Sequence, residues 1–208
     1  MTIEKIVEQL LDEVNRPQDD AWLTRANNAV YQAITRLFVK FDFALFRKTT
    51  FIPKQDEAFV YNCADKYQRI EGVYRVNNES DTIFTGEACH IIDTTARDID
   101  KDSIAHYQLL DGDLLKQNLN LYFNKNRNYL IDGFLNLNSA KTEETFETIF
   151  LPNVFDYVLY DAWVRLCVLL NEDADRIAAV KTLRDEAYND VVIFDNKFSL
   201  KGPIVLRG

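Results

Sequence analysis

Apolar residues recur at helical spacing at both ends of this chain, and this pattern constrains the fold more than any other feature of the sequence. Residues 3–14 repeat apolar side chains every three or four positions, and so do residues 22–38. The same spacing returns in residues 154–170 and 177–194. Such a stripe marks a helix that buries one face. Because each of these helices needs a partner for its apolar face, the most economical prediction is that all four pack together.

Local signals place the ends of these helices. Thr2 is a predicted N-cap for the first helix, and Asp19 or Asp20 is a predicted N-cap for the second, because their side-chain oxygens accept from unpaired backbone N–H groups. Pro17 ends the first helix. Pro152 is tolerated in the first turn of the third helix, where the missing N–H does no harm. The short link between the first two helices favours an antiparallel hairpin.

The central hundred residues carry a different period. Residues 68–76 alternate between two faces, which is typical of a half-buried strand, and residues 129–137 do the same. Further strands are predicted at residues 48–53, 58–62, 82–92, 107–110, 114–117 and 119–123, with a hairpin turn at Asp111-Gly112 and a loop at 94–103. No helix-length crossover separates them, so the sequence predicts a meander of antiparallel strands.

These patterns together predict an α+β fold with two parts. Residues 1–47, an N-terminal helical hairpin, and residues 151–198, the C-terminal helices, form one antiparallel helical bundle. Residues 48–150 form a β region inserted between them. Residues 199–208 form an extended tail, because Gly202 and Pro203 cannot continue a helix.

Charge and cysteine content restrict the function classes. The chain has 33 acidic and 24 basic residues and a net charge of -9, so it repels a phosphate backbone on average and we expect no sequence-specific DNA binding. Its three cysteines are far apart in sequence, which indicates reduced thiols. Residues 1–5 are amphipathic and lack the apolar stretch of a signal peptide, and no stretch of the sequence is apolar over the length needed to span a membrane. We therefore expect a protein of the cytoplasm, or of a particle assembled there.

Catalytic motifs are missing from the sequence. A zinc site needs three or four converging ligands, whereas the two histidines, His90 and His106, have only Cys89 nearby. In principle, Cys63 and a distant histidine form a nucleophile and its general base, but the residues next to Cys63 in the sequence do not support this pair. The run of acidic residues at 98–102 lacks the glycine and closing glutamate of a calcium loop. We predict no catalytic residue, no cofactor and no metal, and hence no enzyme.

Aromatic and apolar residues of the helices and the tail are the candidate contact residues. Aromatic side chains are enriched both in cores and in subunit interfaces. The aromatic residues of the C-terminal helix are therefore interpreted as either core residues or interface residues. The predicted interface residues are Trp22, Tyr157, Tyr160, Trp163, Lys201, Pro203, Ile204 and Leu206.

The order of these elements resembles the head–tail connector, or adaptor, proteins of tailed bacteriophages. The resemblance lies in the helix at residues 22–29, the aromatic cluster at 41–46, the strand at 67–74, and the strand pair that precedes Leu151-Pro152 and the long helices. It covers nearly the whole chain and is one of pattern, without a single diagnostic motif. Cys63-Ala64-Asp65 departs from the family, which commonly has Leu-Pro-Asp there.

This resemblance implies a structural protein of the virion. Such proteins form a ring, commonly of twelve copies, that docks beneath the portal protein and carries the tail or further ring proteins, while DNA passes through the central channel. A closed ring needs two different patches that meet between neighbours, and an acidic channel lets DNA slide. The alternatives are another head-completion or tail-assembly protein, a non-viral soluble binding module, or an enzyme with an unrecognised site.

Overall fold

A computed structural model of the protein describes residues 1–89, 91–93, 105–107 and 120–199. In these ranges the chain is a mixture of helices and mostly antiparallel strands, so the predicted α+β class is confirmed. The helices are α1 (Ile3–Glu13), α2 (Asp20–Lys40), α3 (Leu137–Ala140), α4 (Leu151–Leu169) and α5 (Ala174–Ser199). The strands are β1 (Arg47–Ile52), β2 (Phe59–Asn62), β3 (Tyr67–Val76), β4 (Glu87–Ala88), β5 (Ile91–Asp93), β6 (Ala105–Tyr107), β7 (Asn120–Phe123) and β8 (Asn128–Leu135).

Two compact units divide the chain. The helical unit comprises Met1–Leu45 and Lys141–Gly208, and the β unit comprises Phe46–Ala140. The second boundary comes earlier than the predicted one, because residues 141–150 belong with the helices. Phe150 explains this assignment, since its ring packs edge-on against Phe38 and Phe43 of the helical unit.

Both predicted caps of the first two helices are present. Thr2 Oγ1 accepts from the Lys5 N–H at 3.5 Å, and Asp19 Oδ1 accepts from the Trp22 N–H at 2.9 Å. The predicted stripes are also buried, except at Ile3 and Trp22, which are half-buried. Local sequence therefore determines both the ends and the inward faces of α1 and α2.

Helix α4 is preceded by a turn that the sequence did not predict. Phe146–Phe150 forms one π-helical turn that runs directly into α4, so Leu151-Pro152 does not begin the helical segment. In a π turn the carbonyl of each residue faces the N–H of the residue five positions later. The Glu147 carbonyl therefore faces Pro152, which has no N–H. The amino group of Met1 donates to this carbonyl at 3.2 Å. Met1 thus supplies the donor that Pro152 lacks, and the Glu147 carbonyl is not left unpaired.

The strands of the β unit form two sheets whose order is not that of a meander. One sheet has the order β1-β8-β3-β4 and the other β2-β7-β6-β5. Central β8 pairs antiparallel with β1 on one side and β3 on the other, and β5 lies parallel to β6. β8 thus lies beside β1 and β3, and β2 beside β7, although these strands are distant in sequence, and this order corrects the predicted meander of consecutive antiparallel strands.

The predicted strand at 82–92 is also shorter than expected. Among the described residues of this range, Glu87 and Ala88 pair with β3, opposite Arg75 and Tyr74, while residues 83–85 form a turn and Ile91–Asp93 belongs to the separate strand β5. The predicted loop at 94–103 and the hairpin around Asp111-Gly112 lie outside the described residues. The tail predicted at 199–208 also lies outside them beyond Ser199.

Aromatic side chains fill the core of the β unit. The rings of Phe123 and Tyr129 stack with centroids 4.4 Å apart, and Phe123 also contacts Phe59 of the paired strand. Tyr67 is buried, and its hydroxyl shares a hydrogen bond with Thr50. Burial raises the pKa of Tyr67 to about 12, so this phenol stays neutral and acts as a structural group.

Candidate functional site

A groove on the surface of the helical unit lies between the N-terminal half of α2 and the C-terminal end of α4. Its volume is about 480 Å³, within the range of roughly 300–1,000 Å³ that ligand clefts span. The lining residues are Arg25, Asn28, Ala29, Gln32, Val164, Arg165, Val168 and Leu169. The helical unit thus presents a concave surface with an apolar floor and a polar rim.

The groove arises from the composition of the end of α4. Residues 166–170 are five consecutive apolar residues, and five positions of a helix cover more than one turn. Leu166 and Cys167 face the core, whereas Val168 and Leu169 are 56% and 70% exposed. An uninterrupted apolar run therefore has to place side chains in solvent, and this signal, readable in the sequence, went unused in our predictions.

Polar side chains of α2 and α4 border the groove. Arg165 donates to the Gln32 side chain across the two helices, and Arg25 stacks on the Trp22 ring at 4.8 Å. The Arg165 Nε is buried and has no hydrogen-bond partner among the described residues. The border therefore combines fixed guanidinium and amide groups, which suit the backbone of a bound chain.

Three of the predicted interface residues are at least partly accessible. Trp22 lies between the guanidiniums of Arg16 and Arg25, at 5.0 and 4.8 Å from its ring centroid. Tyr160 and Trp163 are half-buried on α4, with ring centroids 6.4 Å apart. Of the three, Trp22 stands next to the groove, through Arg25.

Tyr157 occupies a different position from the other aromatic residues of α4. Its side chain is only 4% exposed, and its ring contacts Tyr188 of α5 at 5.7 Å. Burial raises the pKa of its phenol. Tyr157 therefore belongs to the core of the helical unit in this structure. The predicted tail residues Lys201, Pro203, Ile204 and Leu206 lie outside the described residues.

A buried ion pair joins three helices near Tyr157. The Asp161 carboxylate on α4 is buried, accepts from the Arg36 guanidinium of α2, and lies 3.9 Å from Arg184 Nη1 of α5. A polar pocket of about 350 Å³ lies beside it, lined also by Lys40 and Tyr188. This cluster ties the helices together with charges that are mutually compensated.

Burial sets the protonation behaviour of this cluster. It raises the pKa of the Asp161 carboxyl, while the guanidiniums of Arg36 and Arg184 oppose the rise. Two arginines already satisfy the carboxylate, so it is not free to accept a proton from a substrate. We therefore assign it a structural role.

The thiols are not activated. Burial raises the pKa of Cys63 to about 12, and it also raises the pKa of Cys89 and Cys167. A nucleophilic cysteine instead needs a lowered pKa. His90 lies outside the described residues, and the side chain of His106 is not described.

The described part of the chain also lacks the features of two further site classes. Among residues 1–89, 91–93, 105–107 and 120–199, no three histidine, cysteine, aspartate or glutamate side chains come together as a metal site would require. No helix in the same residues is both long and apolar enough to cross a bilayer.

Comparison with known proteins gives no relative. No protein-family model matches the chain, and no curated protein matches it with significance. We therefore infer the function from the residues themselves and from the pattern resemblance.

Proposed function

We propose that this chain is a structural subunit that assembles with copies of itself into a ring of the head–tail connector class. In this proposal the ring, of twelve copies, docks beneath the portal protein of a tailed bacteriophage and joins it to the tail or to further ring proteins. DNA passes through the channel without sequence-specific contact. The protein is then a component of the virion, assembled in the host cytoplasm.

The observation that carries the proposal is the exposed apolar end of α4. Val168 and Leu169 lie side by side on the groove wall and expose more than half of their side chains. Exposed apolar surface that is bordered by polar residues favours association with another protein. The other large apolar residues of α4 are buried or half-buried, so full exposure of apolar side chains on this helix is confined to its C-terminal end.

The distribution of charged and nucleophilic groups supports a structural role over an enzymatic one. Asp161 and Asp132, the buried carboxylates among the described residues, both pair with arginines. The raised pKa values of the thiols point the same way. Catalytic groups instead usually lie in a cleft and have pKa values close to neutral pH.

The net charge of -9 fits a channel protein. Negative walls repel the phosphate backbone, so DNA passes through without being held. A sequence-reading protein would instead need a basic patch that follows the backbone.

The oligomeric state tests this proposal. Purified protein, alone and mixed with the portal protein of the same virus, is measured by light scattering after size exclusion and by negative-stain electron microscopy. We expect a ring in at least the mixture, and we expect Leu169→Lys to prevent it. The matched control is Val39→Lys, since Val39 is 77% exposed on α2 away from the groove. A protein that stays a single chain in both samples overturns the proposal.

A further inference from the structure

The groove between α2 and α4 has the features of a site for an extended peptide segment. Its floor is apolar, with the buried Ala29 and Val164, its wall carries Val168 and Leu169, and its border carries amide and guanidinium groups. A segment without secondary structure brings unpaired backbone carbonyls that must find donors when buried. The exposed side chains of Arg25, Asn28 and Gln32, which line the groove, carry such donors.

The chain itself contains a segment of matching chemistry. Residues 203–206 are Pro-Ile-Val-Leu, the apolar part of the segment that follows α5. Pro203 restricts φ and disfavours helix for the residue before it, so less entropy is lost when this segment binds in an extended form. The lysine and arginine on either side, Lys201 and Arg207, can stay in water.

The groove of the same copy is out of reach of this segment. Helices α4 and α5 run antiparallel, because Phe194 contacts Phe150 and Arg176 contacts Trp163. Position 168 lies 18 residues after position 150, which is about 27 Å along a helix. Ser199 lies five residues beyond Phe194 in the opposite direction, which adds about 7.5 Å.

The distance to be bridged is therefore about 35 Å, and about 29 Å to Val164, the nearest groove residue of α4. The seven residues that follow Ser199, up to and including Leu206, span at most about 25 Å when fully extended. Only a second copy can bring residues 203–206 into this groove.

We propose that residues 203–206 of one copy bind in the α2–α4 groove of the next copy. The contact joins two different surfaces, so each copy donates its segment to one neighbour and receives a segment from the other. Such contacts form a ring when the rotation between neighbouring copies closes. This inference rests on the proposed function, since it supplies the two patches that a ring requires. It assigns the α2–α4 groove a peptide ligand of apolar, proline-led sequence.

A binding assay that needs no ring tests the inference. A fluorescein-labelled peptide of residues 199–208 is titrated with the full-length chain carrying Ile204→Asp and Leu206→Asp, whose own segment no longer competes. Fluorescence anisotropy reports binding. We expect Leu169→Lys in the receiving chain to weaken binding at least tenfold. Val39→Lys, which adds the same charge elsewhere on the helical unit, is expected to change it less than twofold.

Two results overturn the inference. One is a peptide that does not bind, or that binds the Leu169→Lys chain as well as it binds the control. The other is a ring that assembles normally from chains carrying Ile204→Asp and Leu206→Asp, which leaves the ring function standing without this contact. Conversely, peptide binding in a protein that never forms a ring overturns the proposed function and leaves the groove assignment intact.

A charge-swap experiment guards against a trivial loss of binding. Copies with Leu169→Lys are mixed with copies carrying Leu206→Asp, which places opposite charges at the proposed contact. We expect association in the mixture to exceed that of Leu169→Lys alone. Equal association in the two samples contradicts the proposed pairing.

Discussion

Replacing Arg36 tests whether the buried Asp161 carboxylate stabilises the helical unit through its paired arginines. Arg36→Met deletes the nearest guanidinium and leaves the carboxylate with Arg184, whose Nη1 is 3.9 Å away. Breaking a buried ion pair by removing one partner costs about 3–5 kcal/mol, and we take the low end, about 3 kcal/mol, because Arg184 remains. In a chain of this length that corresponds to a fall in Tm of about 6–12 °C.

The same variant predicts a dependence on pH. The folded-state pKa of Asp161 is raised by burial, so protonation favours the folded state and stability falls as the pH rises through that pKa. Without Arg36 the rise is larger, because the carboxylate loses a compensating charge. We therefore expect the loss of stability to be greater at pH 8 than at pH 5.

Both tryptophans of the chain, Trp22 and Trp163, belong to the helical unit, so urea unfolding followed by tryptophan fluorescence reports on that unit. The control is Glu172→Gln, which removes the charge of a partly exposed pair, leaves Arg176 beside Trp163, and is expected to cost about 0.5 kcal/mol. A loss below about 1 kcal/mol at pH 8 that does not change at pH 5 would refute the reasoning.

Three further predictions concern single sites. Leu166→Ala removes a fully buried side chain and is expected to cost about 2–5 kcal/mol in urea unfolding, whereas Leu169→Ala, at an exposed position three residues later, is expected to cost less than about 0.5 kcal/mol. Asp19→Ala removes the cap of α2 and is expected to cost about 1 kcal/mol, while Asp19→Ser retains most of the stability. Cys63→Ala is expected to leave the number of thiols that react with a disulfide reagent in the native state unchanged, because the Cys63 thiol is buried and its pKa is about 12.

Some features of the candidate site could be predicted from neighbouring residues in the sequence, and others could not. The exposed apolar end of α4 was readable, since residues 166–170 cannot all face one core. The contrast between Tyr157 and Tyr160 was not readable, because both are aromatic residues of one helix. Only the position of α5, whose Tyr188 ring packs on Tyr157, separates the buried phenol from the half-exposed one.

The sequence by itself determined the helices. Thr2 and Asp19 cap α1 and α2 as expected, and the predicted inward faces are buried apart from the half-buried Ile3 and Trp22. The reason is that helical hydrogen bonds and side-chain periods involve residues only three or four positions apart.

The order of the strands was decided by tertiary structure alone. β8 pairs with β1 in a register that joins Arg47 to Phe134 and Ile52 to Tyr129, across most of the β unit. The alternation of β3 and β8 indicated two strands with buried faces, but a strand has no hydrogen bonds of its own and its neighbour is chosen by packing. The groove has the same origin, since its two walls, Arg25 and Leu169, meet only when α2 packs on α4.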